Sequence, residues 1–186
     1  MRVSREQAAR NRERVVDVAG ELFRAKGFDG IGVADLMQAA GLTHGGFYGS
    51  FASKDALEVE ASRHALDGTA ALVRKLAAES DDPLQAIVRF YLSPQHRDAI
   101  GEGCAIAALS QDAVRGSEPR RAVFEAAIRD YLSLLADLVP GESEAKRFKR
   151  SMVTYATMVG ALQLARTVTD PTLSDAILEA AVEALV

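Results

Sequence analysis

Apolar residues recur along this chain at three- and four-residue steps, and alternating β-branched runs are absent, a pattern that predicts an all-α fold. Val15, Val18, Ala19, Leu22 and Phe23 put one buried stripe on a first helix over 5–26, which Gly27 is placed to stop. Short helices are expected over 33–40 and 44–51, with Gly41-Leu42-Thr43 between them. Ser53 is a suitable cap for a long helix over 54–79. Leu84, Ile87, Val88 and Tyr91 mark the next helix, which Ser93-Pro94 should end. Gly101-Glu102-Gly103 reads as a joint ahead of a helix over 104–113. Ser117 opens a helix carrying Val123 through Leu138, closed by Pro140-Gly141. Phe148, Met152, Tyr155, Val159 and Leu162 keep register over 144–167. Leu173 before Ser174, with Leu178 beyond, fits a hydrophobic staple around a last N-cap.

The expectation is thus about nine helices without repeats or a long linker. Residues 1–53 are expected to form a small three-helix module, and 54–186 a larger helical body.

Composition narrows the class. The 186 residues are 48% hydrophobic and 26% charged, as in a soluble globular protein. No window approaches about 18 uninterrupted apolar residues, so no membrane span is expected. A single cysteine, Cys104, forbids an internal disulfide and favours a reducing compartment, so the cytoplasm is the expected location. Net charge is −4, but residues 1–54 carry +2 and the remainder −6. Arg2, Arg5, Arg10, Arg12 and Arg14 crowd the first fourteen residues, which would localise phosphate contact to one end. On charge alone a solvated polar helix end is the better reading.

Two short helices around a glycine-containing turn make a helix-turn-helix. Val33, Leu36 and Ala40 face inward on the first, and Phe47 and Phe51 on the second. His44, Gly45, Tyr48, Gly49 and Ser50 remain outward, a slim polar face of the kind a major groove admits. Thr43 is placed to cap that helix, leaving its N-terminal N–H groups for a phosphate.

The stretch from Gly41 to Leu57 (GLTHGGFYGSFASKDAL) resembles the recognition-helix signature of TetR/AcrR-type transcriptional regulators. Ala19–Phe28 (AGELFRAKGF) and Val33–Gly41 (VADLMQAAG) resemble that family's first and second helices, while the C-terminal two-thirds fits only by length and helical pattern. The resemblance implies DNA binding by Thr43, His44, Gly45, Gly46, Tyr48 and Lys54: backbone contact by the Tyr48 phenol, a phosphate contact by Lys54, and mixed contacts from Thr43 and His44. Gly45 and Gly46 would let the helix approach closely. Gly32 and Gly49 depart from the family pattern, since neither supplies the hydroxyl or bulkier side chain usual there.

The resemblance further implies a transcriptional repressor, a homodimer on a palindromic double-stranded DNA operator, released by a small-molecule effector. Residues of the last two helices, 155–164 and Ile177 to Leu185, are apolar beyond one core face. Sequence alone leaves them between a dimer interface and burial within one monomer; the resemblance implies the interface. Phe90, Tyr91, Cys104, Ala108, Phe124, Ile128, Tyr131, Tyr155 and Met158 suit an effector pocket, although for any one of them plain core packing is the better reading. Cys104 is either an inert buried thiol or, at a helix N-terminus, a redox sensor. His64 and His96 read as surface residues.

No catalytic, metal or cofactor motif is present: no His-Glu-x-x-His, Gly-x-Ser-x-Gly, Gly-Lys-Ser/Thr loop or cysteine cluster. An enzyme is not expected. The competing class is a helical ligand-binding or interaction protein without DNA binding, supported by Gly32, Gly49 and the acidic total charge.

Overall fold

A computed structural model describes residues 4–186, so Arg2 of the expected basic arm lies outside the described residues. The fold is all-α. Nine α-helices span Arg5–Lys26 (α1), Val33–Ala39 (α2), Lys54–Ala78 (α3), Pro83–Tyr91 (α4), Pro94–Asp98 (α5), Ala105–Val114 (α6), Glu118–Leu138 (α7), Glu144–Thr167 (α8) and Pro171–Leu185 (α9). Among the described residues a single 3₁₀ turn, His44–Gly46, stands between α2 and α3.

Side-chain caps explain most helix starts. Ser4, Ser53, Ser93, Ser117 and Ser143 each accept a backbone N–H from the first turn of their helix, as do Asp82 and Asp170. Two boundaries differ from expectation. Ser93-Pro94 ends α4 but also opens α5, because proline is well placed in a first helical turn. The last helix begins at Pro171 behind Asp170, not at Ser174. Ser174 lies inside α9, where its hydroxyl donates to the Ala165 carbonyl at 2.7 Å and ties α9 to α8.

One continuous apolar core runs through the molecule. Helix α1 lies along α3, α3 packs on α7, and α7, α8 and α9 pack in sequence. Helix α3 therefore touches the N-terminal helices at one end and the body along its length. His96, expected at the surface, is buried beneath Phe90 and Tyr91, whereas His64 is exposed beside Asp17 at 2.9 Å. The His96 Nδ1 donates to the Tyr91 carbonyl at 2.7 Å, and its Nε2 accepts the Cys104 N–H at 2.9 Å. That arrangement requires the neutral ring, and burial holds its pKa below the ordinary value.

Candidate nucleic-acid interface

The turn after α2 is built by Gly41, whose φ of 69° is open to glycine without a Cβ clash. Its N–H donates to the Gln38 carbonyl (2.9 Å) and that of Leu42 to Met37 (2.8 Å), the paired bonds of a Schellman stop. Helix α2 starts at Gly32, which has no side-chain hydrogen bond to give.

The second helix of the motif is shorter than its sequence spacing implies. Instead of an α-helix over 44–51, a 3₁₀ turn over His44–Gly46 leads into hydrogen-bonded turns to Phe51. Gly46 donates to Thr43, Phe47 to His44 and Ser50 to Phe47, all three-residue bonds; Phe51 to Phe47 closes a four-residue one. Gly45, Gly46 and Gly49 explain the difference, since each glycine costs a helix interior about 1 kcal/mol relative to alanine. Thr43 precedes this turn in extended conformation, without the expected side-chain cap.

The division between faces survives the irregularity. Phe47 and Phe51 are buried and stacked at 5.5 Å, anchoring the segment to the core. Tyr48 stands out at 68% exposure, its ring edge-on to Phe47 (5.2 Å) and His44 (6.0 Å). Thr43, His44, Gly45 and Gly46 are exposed beside it, and a Cβ on Gly45 would meet nothing within 4 Å.

Lys54 is placed differently from the other five expected DNA contacts. It is the first residue of α3, but its ammonium donates to the Phe28 carbonyl and lies 3.6 Å from Glu58. Of the basic arm, Arg12 is engaged by Glu60 and covers the Phe51 ring at 4.8 Å, and Arg10 is paired with Glu6.

The segment is braced from the body by contacts that spacing did not reveal. Arg120 at the start of α7 reaches Asp55 (2.6 Å) and the buried Glu58, and its guanidinium covers the Phe28 ring at 4.5 Å. Ser117 donates to Asp55 at 3.0 Å, and the Phe28 N–H donates to Asp112 at 3.2 Å. Arg24 of α1 donates to the Gly101 carbonyl. Burial raises the Glu58 pKa, and Arg120 and Lys54 oppose that rise.

A family model described as bacterial regulatory proteins, tetR family, matches residues 15–61, from the middle of α1 through α2 and the exposed turn into the start of α3. Over that segment the chain is similar to the TetR family. Members of this family are DNA-binding transcriptional regulators. A TetR transcriptional regulator from Chloroflexus aurantiacus is 25% identical, with a TM-score of 0.78 over 97% of this chain and 94% of its own. A TetR-family regulator from Agrobacterium tumefaciens is 19% identical, with a TM-score of 0.80 over 96% and 98%. The reduced form of NemR from E. coli is 22% identical, with a TM-score of 0.78 over 94% of each chain. Among curated proteins, none matches this chain.

In the body, the nine residues expected to line a pocket separate. Tyr91, Cys104, Tyr131, Tyr155 and Met158 are all buried, and the Tyr131 and Tyr155 rings stack at 4.9 Å. Phe124 and Ile128 line a groove of about 430 Å³ between α6, α7 and α8. Ala108 is half-buried, while Phe90 lies at the surface over His96. The larger groove, about 690 Å³, opens between α3 and α7 and takes only Tyr131 from that set. No helix among the described residues is long and apolar enough to cross a membrane, and no His, Cys, Asp and Glu cluster there is arranged to hold a metal.

Proposed function

We propose that this chain is a dimeric, cytoplasmic repressor of the TetR type that binds a palindromic operator and is released by a small-molecule effector. The observation that carries the DNA reading is the exposed face of Thr43, His44, Gly45, Gly46 and Tyr48 on the buried Phe47–Phe51 anchor. Tyr48 supplies a phenol donor to a phosphate, and the glycines leave space for close backbone approach. Lys54, held by the Phe28 carbonyl and near Glu58, keeps a donor that can turn to a phosphate on docking.

Residues 1–53 act as the DNA-binding module and 54–186 as the ligand-binding and dimerisation body. A two-fold pair would set the two exposed turns about 34–36 Å apart, one turn of B-DNA. Met152, Val153 and Leu164 of α8 and Leu173 of α9 are exposed apolar side chains suited to a dimer contact, and Gly160 leaves open space for close helix approach. The structural relative AibR, 16% identical with a TM-score of 0.67, is known in complex with isovaleryl coenzyme A and operator DNA, which supports a fold that accommodates both.

The test is an anisotropy titration against DNA flanking the chain's own gene, followed by genome-wide selection of bound fragments, each at two salt concentrations. Selective binding that weakens steeply with salt is expected, with Tyr48→Ala weakening it by roughly tenfold while leaving the dimer intact. Absence of selective binding in both formats would favour the helical ligand-binding alternative.

A further inference from the structure

The groove of about 430 Å³ between α6, α7 and α8 is mostly apolar, with Val114, Phe124, Ile128, Leu132, Phe148 and Met152 in its lining. Val114, Phe148 and Met152 are exposed, so contiguous apolar surface faces water there. The polar residues of the lining are Ser110, Arg121, Glu125 and Arg129. All but one are committed within the fold. The Ser110 hydroxyl donates to the Ile106 carbonyl at 2.5 Å, and Glu125 is held by Arg129 at 2.7 Å. Arg121 is exposed and makes no ion pair among the described residues; neither Glu118 nor Glu125, one turn to either side of it on α7, pairs with it. The Glu125–Arg129 pair is neutral as a unit, so the lining carries one uncompensated positive charge, on Arg121.

Two walls of this groove stand next to braces on the N-terminal helices. On α6, Asp112 precedes the lining residue Ala113; one of its oxygens accepts the Phe28 N–H at 3.2 Å, and the other is held by Arg115 at 2.5 Å. On α7, Arg120 precedes Arg121 and reaches Asp55 at 2.6 Å and the buried Glu58. A body that parts α6 from α7 here pulls on both braces at once. The larger groove between α3 and α7 offers no such preference of charge, since Arg63, Asp67, Arg74 and Asp130 bring both signs to its lining.

We propose that the groove between α6, α7 and α8 is the effector site and that it takes an amphiphilic anion, an extended apolar body with a single charged head paired to Arg121. A guanidinium offers donors in a planar fork and no acceptor, which a carboxylate meets with two parallel bonds. An ammonium head finds the carboxylate of the lining, Glu125, already held by Arg129. Burial of the body against Ile128, Leu132 and Phe148 supplies most of the affinity, and the head decides which amphiphile is taken. The ligand releases DNA by preferring the arrangement in which the α6 and α7 walls are displaced, since equal affinity for both arrangements would shift nothing. The effector role rests on the ligand-released reading given above; the anion site does not.

The test uses the full chain and three probes of one chain length, sodium decanoate, decan-1-ol and decylamine, each below the concentration at which it forms micelles. Calorimetric titration without DNA reads binding, and anisotropy with the selected operator reads release. Decanoate is expected to bind about three- to tenfold more tightly than the alcohol, and the amine more weakly than either. Arg121→Gln is expected to remove the lead of decanoate over the alcohol, and Arg121→Glu to put decylamine ahead of decanoate. Phe148→Ser, at an exposed position, is expected to weaken decanoate and the alcohol alike. No binding of decanoate, as follows if a second copy of the chain covers Phe148 and Met152, would overturn the site. So would an order of probes unchanged in Arg121→Glu, or decanoate affinity unchanged in Phe148→Ser. Decanoate binding that leaves operator affinity unchanged would overturn the effector role. Failure to bind any DNA would sink the regulator reading, with the calorimetric order of probes still deciding the site.

Discussion

At the residue scale, His96 and Lys54 show what spacing cannot say about a side chain. His96 follows Ser93-Pro94, a segment that looks like a surface turn, yet it fills the core by joining the Tyr91 carbonyl to the Cys104 N–H. A polar residue is buried cheaply only where both its polar atoms find partners, and those partners come from segments the sequence does not visibly pair. Lys54 stands where the family resemblance puts a phosphate contact, but burial of Glu58 one turn on gives its ammonium a competing partner. The His96 geometry has a pH consequence. Its folded pKa lies below the ordinary 6.5, so the unfolded chain takes up a proton that the fold excludes. The contribution of His96 to stability is complete above about pH 6.5 and declines as pH falls through the folded value. His96→Gln should lower stability by about 1–3 kcal/mol at pH 7.5, by leaving a buried backbone group unpaired. That deficit should narrow at pH 5, as the wild type loses its own advantage. Urea midpoints of both proteins at the two pH values check this, and an equal deficit at both would contradict the proposed protonation state.

At the scale of elements, the helices were legible wherever an apolar stripe and a cap coincided. Helices α1, α3, α7 and α8 begin and end within a residue or so of where spacing places them, because Ser53, Ser117 and Gly27 mark their limits. The misses have a local cause. Pro94 can stop one helix and start another, and Asp170-Pro171 competes successfully with Ser174 for the last N-cap. In the 44–51 segment the Phe47–Phe51 spacing was read correctly for the buried face, but three glycines outweighed it in backbone geometry. Glycine effects elsewhere separate cleanly. At Gly68, inside α3 and exposed, an added Cβ meets nothing within 4 Å, so Gly68→Ala should stabilise by about 0.5–1 kcal/mol. At Gly30 a Cβ would fall 1.9 Å from the Lys26 carbonyl oxygen, so Gly30→Ala must shift the loop before α2. Thermal unfolding should move up for the first and down for the second. A loss of stability in Gly68→Ala would show that its flexibility, not its helical position, sets its role.

At the scale of the whole molecule, the fold class was visible in periodicity, but the attachment of the N-terminal helices to the body was not. That attachment depends on Arg120, about 65 residues from Asp55, and no local pattern pairs them. Its guanidinium, largely buried over Phe28, bridges Asp55 and Glu58 at the start of α3, immediately after the exposed turn. Ionised Glu58 is costly to bury, and Lys54 at 3.6 Å offsets only part of that cost. Removing the arginine should therefore do more harm than removing both partners. Arg120→Met should destabilise by about 3–5 kcal/mol, because it leaves a buried carboxylate under-compensated. Glu58→Gln in the same chain replaces that charge with a neutral amide and should recover more than half of the loss, a coupling readable in a double-mutant cycle of urea unfolding. Additive effects in that cycle would mean that Arg120 acts through its cover over Phe28 and not through charge. The two causes predict different functional costs. If the ion bridge holds α3 in register with the exposed turn, the double variant regains stability but binds operator less tightly than wild type, since the bridge between α7 and α3 is still absent. If the cover over Phe28 is what matters, stability and operator affinity fall together in Arg120→Met, and neither is recovered by changing Glu58.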